Sequence, residues 1–359
     1  MPLASSSNQW FDIIQTLVMC HSPSGLEGEV DQVLRDRLEA LGHTVEQDWA
    51  GNLYVKISAD PKHRKPGAPP LAITAHKDEI GAIVKTVEDN GRISLRKLGG
   101  SYPWVYGEGV VDLLGDHETI SGVLSFGSRH VSHESPQKAQ QGTAPVTWEA
   151  AWVETKRSPH SLAAAGIRPG TRAVVGKHRK TPFRLSEDYI ASYTLDNKAS
   201  LAILLALAET VDRPWTDVYL VASAKEEVGA LGAMYFTQQH QLGALIALEI
   251  CPLSPEYPIE DGPNPVLLSQ DSYGIYDEDL NCDLQAAAAI ARVPIQMAAI
   301  SGFGSDGSIA MKFGHVPRAA CLGFPTQNTH GYEVTHLGAI ANCAKVLAAY
   351  LNGNAPAAD

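Results

Sequence analysis

Glu226 and Glu227 stand side by side just after the apolar run Asp217 to Ala224 (DVYLVASA) and before the glycine-bearing segment VGALGA. Two neighbouring carboxylates at a strand end repel one another unless a cation or a shared proton compensates. One acid can then ligate a metal while the other handles a proton. A solvated acidic turn is the alternative that suits most isolated Glu-Glu pairs. Other ligand-type residues, however, fall at equivalent places. His76, Asp78 and Glu79 follow the strand-like LAITA in AHKDE, and Asp196 precedes a strong helical pattern in LDNKAS. Glu249 closes ALIAL, and His330 lies in the loop THGYE. Singly, each has a structural explanation: a core histidine, an N-cap for Asp196, a lysine partner for Glu249. Jointly they gather where open α/β sheets collect functional groups, outside the carboxyl ends of the strands. Two imidazoles and three to five carboxylates form a hard-to-borderline donor set, large enough for two divalent ions.

The elements that must position these residues are legible from periodicity. Gln9 to Cys20 and Leu26 to Leu41 have helical apolar spacing, the second stopping at Gly42. Asn52 to Ile57 and Leu71 to Ala75 read as strands, the latter delivering His76. After Tyr193 helix and strand alternate. The helix Asn197 to Val211 precedes the strand before Glu226, and a helix from Val228 precedes the strand Ala244 to Leu248. Then come a helix at Asp279 to Arg292, a strand at Ile295 to Ala299, a helix from Asp306, a strand at Val316 to Leu322 and a closing helix at His336 to Tyr350. This alternation predicts an α/β fold with a mostly parallel sheet covered by helices on both faces.

Between Ile80 and Tyr189 the texture changes to short alternating strands, such as Ile120 to Phe126, Trp148 to Val153 and Thr171 to Val175, separated by turn residues. The expectation is a small all-β domain over 80–189, interrupting a discontinuous catalytic domain of 1–79 and 190–359. Its polar tract HVSHESPQKAQQGTAP holds His130 and His133, whose surroundings predict a solvated surface rather than a metal site.

With 359 residues, 44% of them hydrophobic and 19% charged, the chain has a globular composition and a two-domain length. The formal charge of -12, from 28 basic and 40 acidic residues, opposes binding to nucleic acid or an anionic membrane. Five scattered cysteines without a C-x-x-C pair indicate neither a disulfide framework nor a thiolate zinc site, so a reducing cytoplasm is expected. No apolar stretch approaches the roughly 20 residues of a membrane span. Gly302, Gly304 and Gly307 match G-x-G-x-x-G, but Gln327 and Asn328 stand where a ribose-binding acid is wanted. These glycines are expected instead to let Ser305 and Asp306 approach the same rim at a helix start. P-loop, H-E-x-x-H and G-x-S-x-G patterns are absent.

The motifs AHKDEIG, YTLDNKAS, AKEEVGALGA, ALEIC, GSDGSIAM and NTHGYEV, in this order with a β domain inserted after the first, resemble the tetrahedral dinuclear metallo-aminopeptidases. These are the glutamyl or deblocking, FrvX-like aminopeptidases. RKLGGSYPWV and GIRPGTRAVVG are similar to that family's inserted domain. The resemblance implies that Asp196 bridges two divalent ions, with His76 and Glu249 completing one site and Glu227 and His330 the other. It implies zinc or cobalt, with manganese also compatible with an N/O donor set. Asp78 would orient the His76 ring, Glu226 would be the general base for hydrolysis of an N-terminal peptide bond, and Asp306 would help hold the substrate ammonium. Glu249 stands where the family usually has Asp, so its longer side chain must be absorbed by a backbone shift or a different denticity.

The resemblance further implies peptide substrates and homodimers formed through the inserted domain, assembling into a tetrahedral dodecamer. Other readings of the residues are a dinuclear hydrolase of N-acyl amino acids, a carboxypeptidase, a glycosidase using paired carboxylates, or a non-catalytic metal-binding protein.

Overall fold

A computed structural model of the chain describes residues 6–132 and 145–353. Apolar residues alternate with period two along the central strands, and both sets are buried. Leu71, Ile73 and Ala75 face one core, whereas Ala72 faces another across the sheet. Such strands are stable only between two helical layers. On one side lie the helices Ser7–Val18, Gly28–Ala40, Leu195–Thr210, Glu278–Ala291 and Leu337–Leu351. Leu231–Gln239 and Asp306–Lys312 cover the other side. The helix Leu195–Thr210 is buried around its whole circumference through Ala208, packed between the sheet and the helices Ser7–Val18 and Leu337–Leu351. That environment explains the unbroken apolar run from Leu201 to Ala208.

The sheet has twelve strands and is mixed, not mostly parallel as the alternation suggested. Its main path runs Glu46–Gln47, Leu53–Ile57, Val218–Ser223, Leu71–His76, Ala244–Pro252, Ala319–Gln327, Tyr332–His336, Tyr189–Tyr193 and Phe183–Arg184. Only the four strands from Val218–Ser223 to Ala319–Gln327 are mutually parallel along this path. Leu53–Ile57, Tyr332–His336 and Tyr189–Tyr193 join antiparallel, and Val266–Asp271 branches antiparallel from Ala319–Gln327. The difference arises from short returns rather than helical crossovers. The loop between Gln327 and Tyr332 reverses the chain through Asn328 and His330, both at positive φ (55° and 64°).

The six strands Gly81–Val87, Ile93–Leu98, Trp152–Glu154, Thr119–Ser125, Gly109–Leu114 and Arg172–Val175 close into a barrel with its own apolar filling. Closure leaves no free edge. This region is not purely β: it also holds the helices Pro103–Tyr106 and Pro159–Ala164 and a 3₁₀ turn at Lys177–Lys180. Proline begins both helices, and Ser158 caps the second by accepting from the Ser161 amide. Trp148, expected in a strand, precedes Trp152–Glu154 and is buried, donating its Nε1–H to the Ser101 carbonyl at 3.0 Å. Phe183–Arg184 and Tyr189–Tyr193 pair in the large sheet. His130 is exposed, and His133 lies outside the described residues. Among the described residues no helix is long and apolar enough to cross a membrane.

A buried charge cluster ties the barrel to the large sheet. Lys180 Nζ donates to both Glu79 carboxylate oxygens at 2.6 Å and lies 3.0 Å from His21 Nδ1. Lys198 Nζ lies 3.5 Å from Glu79. His21 Nε2 in turn lies 3.0 Å from Asp112, on a barrel strand. Burial alone would raise the Glu79 carboxyl, but the Lys180 and Lys198 charges overrule it and hold the group down at about 2. A carboxyl lowered in the folded state contributes stability that is complete above its ordinary value of 4.5 and lost as pH falls toward about 2. Glu79→Gln leaves two buried ammonium groups without their counter-charge and should cost about 3–5 kcal/mol. Thermal melts at neutral pH check this, and the difference between variant and wild type should shrink as pH drops from 4.5 toward 2.

Candidate metal centre and active site

Each candidate is delivered by a different element. His76 ends the strand Leu71–His76. Its Nδ1 lies 3.0 Å from the Asp78 carbonyl, to which only N–H can donate, so Nε2 is left as the free lone pair. That Nε2 is 3.1 Å from Asp196 Oδ1. Asp196 and Asn197 form a non-helical step ahead of the regular helix, and the extended backbone of Asp196 (φ -74°, ψ 106°) turns its carboxylate toward both histidines instead of a helix cap. Asp196 Oδ2 lies 3.4 Å from His330 Nε2, and Glu227 Oε1 lies 3.7 Å from the same nitrogen. Glu249 is within the strand Ala244–Pro252, not at its end, and is 3% exposed.

The structure thus brings together His76, Asp196 and Glu249 as one group, and Asp196, Glu227 and His330 as another. Within each group the candidate donor atoms lie within 4.8 Å of one another. Asp196 is common to both. Glu226 belongs to neither group, although its Oε2 is 3.9 Å from His76 Nε2 and it lines the same cavity of about 760 Å³.

The supports of this arrangement are mostly backbone contacts. Asp78, fully buried, accepts from the amides of Glu226 (2.9 Å) and Glu227 (3.2 Å) and from the Ser24 hydroxyl (2.6 Å). Its Oδ1 is 3.5 Å from His76 Nδ1, so its carboxylate chiefly pins the Glu226–Glu227 turn while its carbonyl holds the histidine ring. Asp306 starts the helix Asp306–Lys312, where a Ser305/Ser308 capping box fixes the first turn. Its carboxylate accepts from Ser223 Oγ at 2.5 Å, is 2% exposed and forms no part of the cavity wall. The expected contact of Asp306 with a substrate ammonium is therefore not what the structure places there. Gly302 and Gly304 do reach the cavity, and a Cβ at Gly304 would lie 2.3 Å from the Tyr273 ring.

Two supports escaped the sequence reading. Glu333, 1% exposed, accepts from the Asp196 amide at 2.9 Å and from the His330 amide at 3.0 Å. One carboxylate thereby holds the backbones of two candidate ligands. The available signal was the glutamate three positions after His330 in THGYE. The second support comes from the barrel side: the Gly100 carbonyl is 3.3 Å from His330 Nδ1, leaving Nε2 for ligation. A Cβ at Gly100 would sit 2.7 Å from the His330 ring, so this approach requires glycine.

The electrostatics of the cluster follow from burying several acids around two imidazoles. Burial raises the Glu226 and Glu249 carboxyls well above the ordinary range; His76 opposes the rise and neighbouring acids add to it. Burial likewise lifts Glu227 to about 7 against the pull of His330. Burial disfavours an ionised Asp196, but hydrogen bonds from His330 and His76 outweigh it and bring its value down. For His330, burial opposes protonation, whereas the Glu227 and Asp196 charges prevail and lift it to about 10. Acids at this density are protonated or strained unless cations enter. A donor set of two imidazoles and three carboxylates fits divalent ions of the zinc and cobalt type.

Fold and site together define a hydrolase of the α/β class with a carboxylate–imidazole centre above a mixed sheet. Residues 51–346 match the model of the M42 glutamyl aminopeptidase family, and the chain belongs to that family. SgcX of Escherichia coli K12, whose name marks it as an aminopeptidase candidate, is 25% identical over 93% of this chain and 91% of its own length. Among solved structures, the aminopeptidase APDkam598 of Desulfurococcus kamchatkensis superposes with a TM-score of 0.85 at 23% identity. It covers 96% of this chain and 95% of that one. The TET1 peptidase of Pyrococcus horikoshii, which assembles into a tetrahedron or an octahedral shell, gives 0.81 at 21% identity over 95% and 98%. The chain is an aminopeptidase by family.

Glu333→Ala removes the acceptor shared by the Asp196 and His330 amides and should weaken metal retention roughly 10- to 100-fold, the usual size of losses behind a ligand. Competition with a chromogenic chelator reads this directly, and unchanged retention would assign Glu333 to the fold alone.

Proposed function

We propose that this chain is a dinuclear metal-dependent aminopeptidase that removes N-terminal residues from peptides, with Glu226 as the proton carrier. The observation that carries this reading is the pair of three-residue donor groups sharing Asp196, with Glu226 beside them but in neither. His76, Asp196 and Glu249 would hold one ion and Asp196, Glu227 and His330 the other. Bound there, two divalent ions would supply Lewis acidity toward the scissile carbonyl and lower the pKa of water.

The remaining work belongs to the chain's own residues. Glu226 lines the cavity, and burial among other acids raises its affinity for a proton. That placement suits a group that takes a proton from the attacking water and returns it to the leaving amine. The Asp78 carboxylate, by holding both the Glu226 and Glu227 amides, keeps the proton carrier and the ligand in fixed relation. Glu249, longer than the aspartate usual in the family, reaches the group from mid-strand, where the backbone is locked by parallel pairing on the Ala319–Gln327 side. Zinc or cobalt fits the donors, and manganese is compatible.

Glu226→Gln should keep both ions yet lower kcat by roughly 100-fold or more, because the proton path is lost while the ligands remain. Elemental analysis alongside turnover of a leucyl chromogenic substrate checks this. Near-normal turnover at full metal content would remove Glu226 from the role. The same assay with an N-acetylated substrate separates the aminopeptidase from a hydrolase of acylated amino acids.

Assembly is part of the proposal. The tetrahedral particle of the Pyrococcus horikoshii peptidase supports a homo-oligomer here, with the barrel as the dimerising unit, dimers combining into a dodecamer and active sites facing an inner chamber. Sedimentation velocity should show a large closed particle. A persistent monomer would defeat this part of the proposal.

A further inference from the structure

The wall of the catalytic cavity carries information on substrate class that the family name does not. Besides the ligand candidates and Glu226, the cavity lining includes the apolar and aromatic Ile250, Leu253, Tyr257, Tyr273, Phe303 and Ile309, with the neutral polar Ser254, Ser301, Asn328 and Thr329 among them. Ile250 and Ile309 are 3% and 7% exposed, so they form fixed wall rather than mobile surface. Tyr257 is itself held by its hydroxyl, which donates to the Ser301 carbonyl. Among the described residues, the one charged side chain of the lining outside the metal-type cluster is Glu256, an acid, and neither lysine nor arginine lines the cavity. Lys312, whose Nζ stands 4.8 Å over the Tyr273 ring, is outside the lining.

A carboxylate on a substrate side chain would enter beside Glu256 with no lysine or arginine among the described lining residues, which costs both desolvation and like-charge repulsion. A large neutral side chain instead removes apolar surface from water against the aromatic wall.

We infer that this enzyme, read as the aminopeptidase proposed above, acts on peptides whose first residue is large and neutral, aliphatic or aromatic. N-terminal glutamate and aspartate are rejected. Lysine, able to lay its stem on the wall and its head toward Glu256, falls between.

The test is a panel of dipeptides differing only in the first residue, assayed with the metal-loaded full chain, together with calorimetric binding of the free amino-acid products. Leucine, methionine and phenylalanine substrates should exceed glutamate and aspartate substrates in kcat/KM by roughly 100-fold or more. Free leucine should bind where glutamate does not. The substitution Glu256→Lys, at an exposed position, should narrow the gap for glutamate at least tenfold. Acidic substrates within threefold of leucine, or glutamate binding as tightly as leucine, would overturn the assignment. So would a wild-type glutamate activity that Lys312→Ala abolishes. Selective leucine binding without turnover of any peptide would sustain the pocket class and defeat the aminopeptidase reading, so the two failures are distinguishable.

Discussion

The structure depends on keeping an excess of buried carboxylates within a few ångströms of one another. Asp196, Glu226, Glu227 and Glu249 surround His76 on one rim, with Asp78 and Glu333 behind them. Burial, with the neighbouring acids adding to it, pushes Glu226, Glu227 and Glu249 toward the protonated form. Backbone amides fix the acids behind them: Asp78 takes two from the Glu226–Glu227 turn, and Glu333 takes those of Asp196 and His330. Acids that accept from amides are fixed in direction. The acids left without such partners are the ones that face the cavity. The division between satisfied and unsatisfied carboxylates leaves a donor set that could hold a cation.

The barrel takes part in this centre as well as lying beside it. Gly99 and Gly100 bring its chain against Glu227 and His330, so closely that a side chain at Gly100 would strike the His330 ring. The Glu79, Lys180 and Lys198 cluster, extended through His21 to Asp112, fixes the barrel at the sheet rim. Such a cluster is rigid because each buried charge needs its partners. Tyr102 and Trp104, next along the chain after Gly100, also line the cavity. Part of the cavity lining therefore comes from the segment that carries the barrel and the rest from the loops and helix starts of the large sheet.

Much of this was legible in the chain itself. The helices at Ser7–Val18, Gly28–Ala40, Leu195–Thr210, Glu278–Ala291 and Leu337–Leu351 fall within two or three residues of where apolar spacing placed them, because each buries a long apolar face or, for Leu195–Thr210, its whole circumference. The strand carrying His76 was equally clear from its unbroken apolar run. Short elements were not. Val266–Asp271 and Tyr332–His336 carry mixed residues whose pairing comes from neighbours distant in sequence, and the helices of the inserted region are a turn or two long. The mixed character of the sheet was illegible for the same reason, since direction is set by connections and not by strand composition.

For the site, sequence alone picked out the residues that could hold a cation: the Glu226–Glu227 doublet, His76, Asp196, Glu249 and His330 were all visible as ligand types placed around strand and helix ends. Their types and order sufficed because metal chemistry depends on donor atoms. Only the tertiary structure decided the partition. It placed Asp196 between both histidines, drew Glu227 toward His330 while leaving Glu226 outside both groups, and set Glu249 in mid-strand. It also turned Asp306 away to Ser223 and recruited Glu333 and Gly100 as supports. These are matters of distance and direction between segments distant in sequence, which no local pattern encodes.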